Sequence, residues 1–434
     1  MAENREKLVP EIRFKGFTDA WVQRKLGELI DISSASRVHK EEWTEEGVPF
    51  FRSSDVTAAF NKTQNAKAFI SFDLYEKLAT KSGKVSKSDV LVTGGGSIAI
   101  PYLVPNDEPL YFKDADLIWL KTNKHLNGLY LFYFYSSPKL RKYVSSISHI
   151  GTISHYTIEQ AKATPISNPC MKEQAAIGKF FNSLDNAITL YKRKLEGLQG
   201  LKKAFLQQMF PHTRAFVPKL RFSDFADIWK QRKLGDLIKN RIIIEQSDGN
   251  HGELYPRIDE FQERGVPYIS ASNISSDGND IDFSSVKYLS QERGIMFRKG
   301  VAKDGDILLA HNATVGPSLK LKMSFNYAIL STSLTLFRLD DTMMNAGFFL
   351  ALLRSRGFQF QLERFMKQTT RNQVPILTQR LIDISYPIDI EEQRQIGVFF
   401  NSFDTIITLY KRKIECLQEL KKGYMQRMFP RTGV

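Results

Sequence analysis

Polar residues gathered where apolar runs end carry the chemistry visible in this chain. "GVPFFRSSDV" (47–56) closes on Arg52, Ser53 and Ser54, and "GVPYISASNI" (265–274) closes on Ser270, Ser272 and Asn273. "SDVLVTGGGSIAI" (88–100) runs into Gly94, Gly95 and Gly96, and "GDILLAHNATVG" (305–316) into His311, Asn312 and Thr314. A third pair is "SHIGTISHYTIEQ" (148–160) and "KQTTRNQVPILTQ" (367–379). The first supplies His149, Thr152, His155 and Gln160; the second supplies Gln368, Thr370, Arg371, Asn372 and Gln373. Arg pairs with guanine and Asn or Gln with adenine, while Ser, Thr and backbone amides bind phosphate oxygens. The same residue types also build ordinary turns. Their recurrence at matched places in the two halves marks the set as candidate contacts to a nucleic acid.

Catalytic patterns are missing. There is no GxxxxGK[ST] loop, and the Gly-rich "VTGGGSIAI" lacks the GxGxxG spacing. "NPC" (168–170) lacks the second Pro and the aromatic of an adenine-methyltransferase box. The seven histidines show no HExxH or other ligand spacing, so neither a catalytic residue nor a metal site is expected. The chain reads as a recognition protein without an enzyme activity or cofactor of its own.

Charge agrees. With 61 Lys and Arg against 47 Asp and Glu, the formal charge of +14 favours a polyanion, nucleic acid before an anionic membrane. A merely basic surface is the plainer alternative. Cys170 and Cys416 are too few for a disulfide framework or a Cys-based zinc site and fit a reducing cytoplasm. "MAENREKLVPEIRF" has no signal-peptide core. "LYLFYFY" (129–135) is far short of the ~20 residues that span a bilayer. It reads as a buried helix, with "FFLALL" (348–353) as its counterpart.

Two repeated segments must position these residues. "EQAAIGKFFNSLDNAITLYKRKLEGLQGLKKAFLQQMFP" (173–211) returns ungapped, 219 residues later, as "EQRQIGVFFNSFDTIITLYKRKIECLQELKKGYMQRMFP" (392–430). "PEIRFKGFTDAWVQRKLGELI" (10–30) returns 208 residues later as "PKLRFSDFADIWKQRKLGDLI" (218–238). The intervening bodies share little and read as mixed α/β. Ile177, Phe181, Leu184, Ile188, Tyr191, Leu195 and Leu198 are spaced alternately by four and three, as are Ile396, Phe400, Phe403, Ile407, Tyr410, Ile414 and Leu417. That is a coiled-coil seam. No proline interrupts either helix before Pro211 and Pro430. A stripe this regular must be buried, and the economical partner for one copy is the other, packed antiparallel. Packing of each helix on its own body alone is the competing arrangement. The "LYKRK" runs, Lys192–Lys194 and Lys411–Lys413, form either a basic collar or a solvated helix face.

The expected fold class is α+β: two mixed α/β bodies separated by two long helices in an antiparallel coiled coil, with an internal pseudo-two-fold. The expected boundaries are 1–170, 171–213, 214–389 and 390–434.

The duplicated frame resembles the specificity subunit of type I restriction–modification enzymes. The marks are "EIRFKGFTDAWVQRKLGEL", "RFSDFADIWKQRKLGDL", the Pro-then-"EQ" opening of each helix, and the two "FFNS" helices. The resemblance covers essentially the whole chain. It implies two target-recognition domains, each reading one half of a split, asymmetric site in double-stranded DNA. It also implies two methyltransferase (M) subunits docked on the repeated regions, with restriction (R) subunits completing the enzyme and no membrane partner. S-adenosylmethionine, ATP and magnesium would belong to those partners. A free-standing sequence-specific DNA-binding regulator is the alternative; such proteins usually read palindromes as homodimers.

Overall fold

The repeated "FFNS" segments fold into the two longest helices of the computed structural model. The first long helix is Met171–Gln208 and the second is Ile390–Arg427, each of 38 residues. The structure describes residues 9–113, 117–147, 155–211, 215–249, 254–275, 278–367 and 372–430. Two compact units emerge: Met1–Lys192 with Lys413–Val434, and Arg193–Arg412. Each unit therefore owns the start of one long helix and the end of the other.

Within each unit the two helix segments run antiparallel. In the first, Phe180 packs on Tyr424 (ring centroids 5.1 Å apart) and Phe181 stacks on Phe429 (6.0 Å). In the second, Phe205 packs on Phe399 (5.1 Å) and on Phe403 (5.8 Å). Of the seam residues, Ile177, Phe181, Ile188, Ile396, Phe400, Ile407 and Ile414 are buried. Leu184, Tyr191, Leu195, Leu198, Phe403, Tyr410 and Leu417 are half-buried. Each fully buried Ile or Phe of this kind contributes roughly 1.5–3 kcal/mol. The seam also joins the cores of the bodies. Ile177 and Phe181 share a cluster with Tyr130 and Tyr133, and Ile396 and Phe400 share one with Phe348 and Phe349.

The bodies differ in sequence but share a topology. In the first, a four-stranded sheet has the order Asp31–Ser33, Leu117–Lys121, Val90–Thr93, Pro101–Leu103. Its equivalent in the second runs Ile243–Asp248, Leu334–Leu339, Ile307–Asn312, Thr314–Lys320. A second sheet in each body contains one parallel pair, Val48–Phe51 with Tyr111–Phe112 and Val266–Ile269 with Ala328–Leu330. The second body adds Val301–Ala302 at one edge. A short antiparallel ladder ties the start of each body to its end: Val22–Lys25 with Pro165–Asn168, and Lys230–Lys233 with Asp383–Tyr386. The apolar runs flagged in the sequence are the helices Gly128–Ser136 and Ala346–Arg354, buried on most faces. Among the described residues no helix is long and apolar enough to cross a membrane.

One expectation changes. The polar ends of the two "GVP" strands are not open loops. Arg52 caps a helix, Ser53–Asn61, so Ser53 and Ser54 begin that helix. Ala271–Asn273 forms a single 3-10 turn. The residue three places after Arg52 or Ser270 (Asp55, Asn273) accepts that residue's backbone N–H, and this closes the turn.

Candidate nucleic-acid interface

Buried polar nodes set the geometry of each body, and both nodes lie in the "EQ" that opens each long helix. Glu173 is buried and accepts Arg13 Nε (2.6 Å), Arg13 Nη2 (2.8 Å) and Trp21 Nε1 (3.1 Å). Glu392 accepts Arg221 Nε and Nη2 (both 2.7 Å) and Trp229 Nε1 (3.1 Å). The hydrogen-bonded carboxylate holds each guanidinium charged, raising the Arg13 and Arg221 pKa values. Gln174 Oε1 accepts the backbone N–H of Asn127 and Gln393 Oε1 that of Asn345 (both 2.8 Å). Asn127 and Asn345 in turn cap the buried helices. Glycine permits the close crossing that follows. A Cβ on Gly178 would stand 2.7 Å from Leu129 Cβ, and one on Gly397 2.5 Å from Asn345 Oδ1.

This frame delivers part of the candidate set to the edge hairpin of each four-stranded sheet. In the second body the segment after the helix Arg356–Met366 returns across the hairpin 307–320. Val374 N–H donates to His311 O (2.8 Å), Ala313 N–H donates to Asn372 O (2.9 Å), and Asn312 bridges Gln373. Asn312, Thr314, Asn372 and Gln373 thus form one patch, with Thr314 and Asn372 exposed. Ser270 and Ser272 adjoin it: Ala271 N–H donates to Ser333 Oγ (2.8 Å), and His311 N–H to Ser333 O (3.0 Å). Ser270 Oγ and Ser272 Oγ lie 2.7 Å apart.

In the first body Tyr156 N–H donates to Gly94 O (2.8 Å), seating exposed His155 beside the turn of Gly94, Gly95 and Gly96. Tyr156 is the anchor. Its hydroxyl lies 3.0 Å from Tyr135 Oη and 2.6 Å from Thr164 Oγ1, and burial pushes its pKa up to about 12. Gly96 is exposed with a left-handed backbone (φ 70°) that glycine adopts freely.

Several candidates face inward. Arg52 Nε meets Asp55 Oδ2 (2.8 Å), its Nη2 meets Asp55 Oδ1 (3.2 Å) and Ala66 O, and the guanidinium lies over Trp43. It braces the 65–66 segment, while Ser54 Oγ accepts Asn65 Nδ2 (3.0 Å). Asn273 is buried and donates to Ser285 O (2.9 Å). His311 is buried, with Nδ1 2.9 Å from Thr335 Oγ1; that hydroxyl also accepts Gln379 Nε2 (2.9 Å). Asn273 and His311 build the platform under the exposed patch of the second body, while Arg52 and Ser54 brace the start of their own helix. His149, Thr152, Gln368, Thr370 and Arg371 lie outside the described residues. Gln160 completes a capping box with Thr157. The sequence reading missed Glu173, Gln174, Glu392 and Gln393 as organising residues, although their identity in both copies was the available signal. Among the described residues no group of His, Cys, Asp and Glu could hold a metal ion.

Comparison with known proteins follows the same division. The profile of the type I restriction modification DNA specificity domain matches residues 18–199 and again 227–419. The type I restriction enzyme MjaVIII specificity subunit of Methanocaldococcus jannaschii is 25% identical over 358 residues, 81% of this chain and 80% of that protein. A type I specificity subunit of Haemophilus influenzae is 28% identical over 170 residues, 38% of this chain and 41% of that protein. The S subunit of a type I restriction–modification system from M. genitalium superposes with a TM-score of 0.61 at 16% identity, covering 98% of this chain and 100% of that one.

Proposed function

The chain belongs to the type I restriction modification DNA specificity family, and we propose that it reads a bipartite, non-palindromic site in double-stranded DNA. One observation carries this reading. Two bodies of equivalent topology sit on identical Glu and Gln nodes yet present different polar patches: the glycine turn with His155 in one, and Asn312, Thr314, Asn372 and Gln373 in the other. Unlike patches on like frames suit unlike half-sites. Asn and Gln at the second patch have the donor–acceptor pairs that match adenine, and a glycine turn with Gly95 half-buried and Gly96 exposed suits phosphate.

The chain is a recognition component of its complex. It acts through methyltransferase subunits, two per chain, with restriction subunits completing the assembly. Each unit offers one pair of solvent-exposed leucines on its helix pair, Leu190 with Leu420 and Leu201 with Leu409. Leu190 and Leu409 are equivalent by the repeat, as are Leu201 and Leu420, so the frame carries two matched apolar surfaces.

The test is a methylome of the host with and without this gene, and with residues 31–170 exchanged for another family member's body. A split motif that disappears on deletion and changes in one half on exchange supports the reading. A palindromic motif, or an exchange that alters both halves, overturns it. A chain that purifies alone and occupies an operator-like site would instead be a free-standing regulator.

A further inference from the structure

A groove of about 780 Å³ in the second unit lies between the hairpin 307–320, the helix Arg356–Met366 and the paired long helices. Five cations line it: Lys202, Lys203, Arg354, Arg356 and Lys411. Asp404 and Glu363 are the acids on its wall. Asp404 is already matched by Lys202 and by Arg354 Nη1 (2.8 Å). Lys203 and Arg356 are exposed on the rim, and Arg356 opens an 11-residue helix whose N-terminus adds partial positive charge.

The first unit closes the corresponding hollow. There the helix Ser53–Asn61 ends with Phe60 on Phe132 (6.3 Å) beneath the Arg141 guanidinium (5.2 Å), and Lys62 Nζ reaches Thr189 Oγ1 (2.5 Å). In the second unit the equivalent segment is only the turn Ala271–Asn273. Among the described residues the two halves therefore differ at this place.

Two further observations point to its ligand. Ser318, 2% exposed, lines the groove, and its hydroxyl has no hydrogen-bond partner. Its carbonyl meanwhile fixes Arg354 through Nε (3.0 Å) and Nη2 (2.6 Å). The strand Thr314–Lys320 also leads from the exposed patch at Thr314, through an irregularity in its ladder at Gly316 (φ 112°), into the groove wall at Val315–Ser318. At ~3.3 Å per extended residue that is at most about 13 Å, or up to about four base pairs of duplex at ~3.4 Å each.

We propose that this groove is a phosphodiester site, holding the DNA backbone a few base pairs from the half-site read by the second body, with Arg356 and Lys203 as the phosphate ligands. The assignment rests on the DNA-reading function proposed above. Arg356 suits bidentate phosphate recognition and Lys203 supplies a point charge.

The test is binding of the full-length chain, with its methyltransferase companion, to a duplex carrying the mapped motif and to a scrambled duplex, between about 50 and 200 mM salt. Arg356→Ala and Lys203→Ala should each lower the slope of log K against log salt by ~1 and weaken both duplexes equally. The ratio between the duplexes should not move. An unchanged slope in the double variant overturns the groove, while wild-type discrimination between the duplexes keeps the DNA-reading function standing. Loss of that wild-type discrimination would instead sink the function itself. Calorimetry with inorganic phosphate separates the remaining source. Phosphate binding that the double variant loses, with the DNA slope unchanged, would make this a free-anion site and overturn the DNA assignment.

Discussion

Lys421 Nζ lies 2.6 Å from Asp185 Oδ1, and Lys202 meets Asp404 in the same way one repeat away. The acid comes from the early part of one long helix and the cation from the late part of the other. Each ion pair closes within its own unit, so the pseudo-two-fold is written in charge as well as in apolar residues. Tyr133 Oη donates to Asp185 Oδ2 (2.9 Å) and Arg354 Nη1 to Asp404 Oδ2 (2.8 Å), which links each pair to its own body. Burial, followed by the Asp185 charge, pushes the Tyr133 hydroxyl strongly up and keeps it a donor.

Removing a buried carboxylate should unfold a unit more readily than removing an exposed one. Glu173→Ala leaves Arg13 and Trp21 Nε1 without their acceptor, at roughly 3 kcal/mol or more. Glu28→Ala, at the exposed Arg24 pair, should change little. Urea unfolding of the two variants, compared by midpoint and slope, checks the contrast.

Glycines in the long helices should respond oppositely to alanine. Gly397→Ala places a Cβ 2.5 Å from Asn345 Oδ1, which caps Phe348 N–H, and should destabilise by about 2 kcal/mol. Gly200 has nothing within 4 Å, so Gly200→Ala should stabilise by roughly 0.5–1 kcal/mol. Thermal melts of both variants measure the opposite signs.

The second patch should control only its own half-site. Asn372→Ala removes an amide that can pair with adenine, at about 1–3 kcal/mol for one base position. Methylome sequencing should show relaxed or weakened modification at one half of the motif. Equal losses in both halves would contradict the assignment.

Acid should loosen the Arg52 brace. Burial raises the Asp55 carboxyl, but bonds from the Arg52 side chain, its backbone N–H and Asn65 outweigh this and hold the pKa below the usual aspartate range. A lowered folded pKa stabilises above the unfolded value of about 3.9 and loses that contribution as pH falls through the folded one. Asp55→Asn should therefore destabilise at neutral pH, and its deficit against wild type should shrink below about pH 4. Urea midpoints across that range test the sign.

The frame was legible because its constraint is local and periodic. Spacing by four and three picks out a helix seam, and an ungapped repeat at an offset of 219 residues reveals two such helices. The inward turn of Arg52 was not legible, because Ala66 O is brought beneath it only by the fold. His311 looked like an exposed strand end, but Val374, far along the chain, closes over its backbone. The role of Glu173 was not legible, since its partners Arg13 and Trp21 lie more than 150 positions earlier.

Gln174 and Gln393 grip their bodies through a main-chain N–H, at Asn127 and Asn345. Among the described residues, the Glu173 and Glu392 side chains accept hydrogen bonds from the repeated leading segments. Much of the polar hardware that seats a body thus lies outside its variable surface, and the body itself supplies one buried helix, with its cap and its apolar face, to the long helices. Genetic recombination within the flanking repeats can therefore graft a foreign body onto this chain and leave its seat intact. A host could acquire a new modification pattern in one step, without compensating mutations elsewhere in the gene.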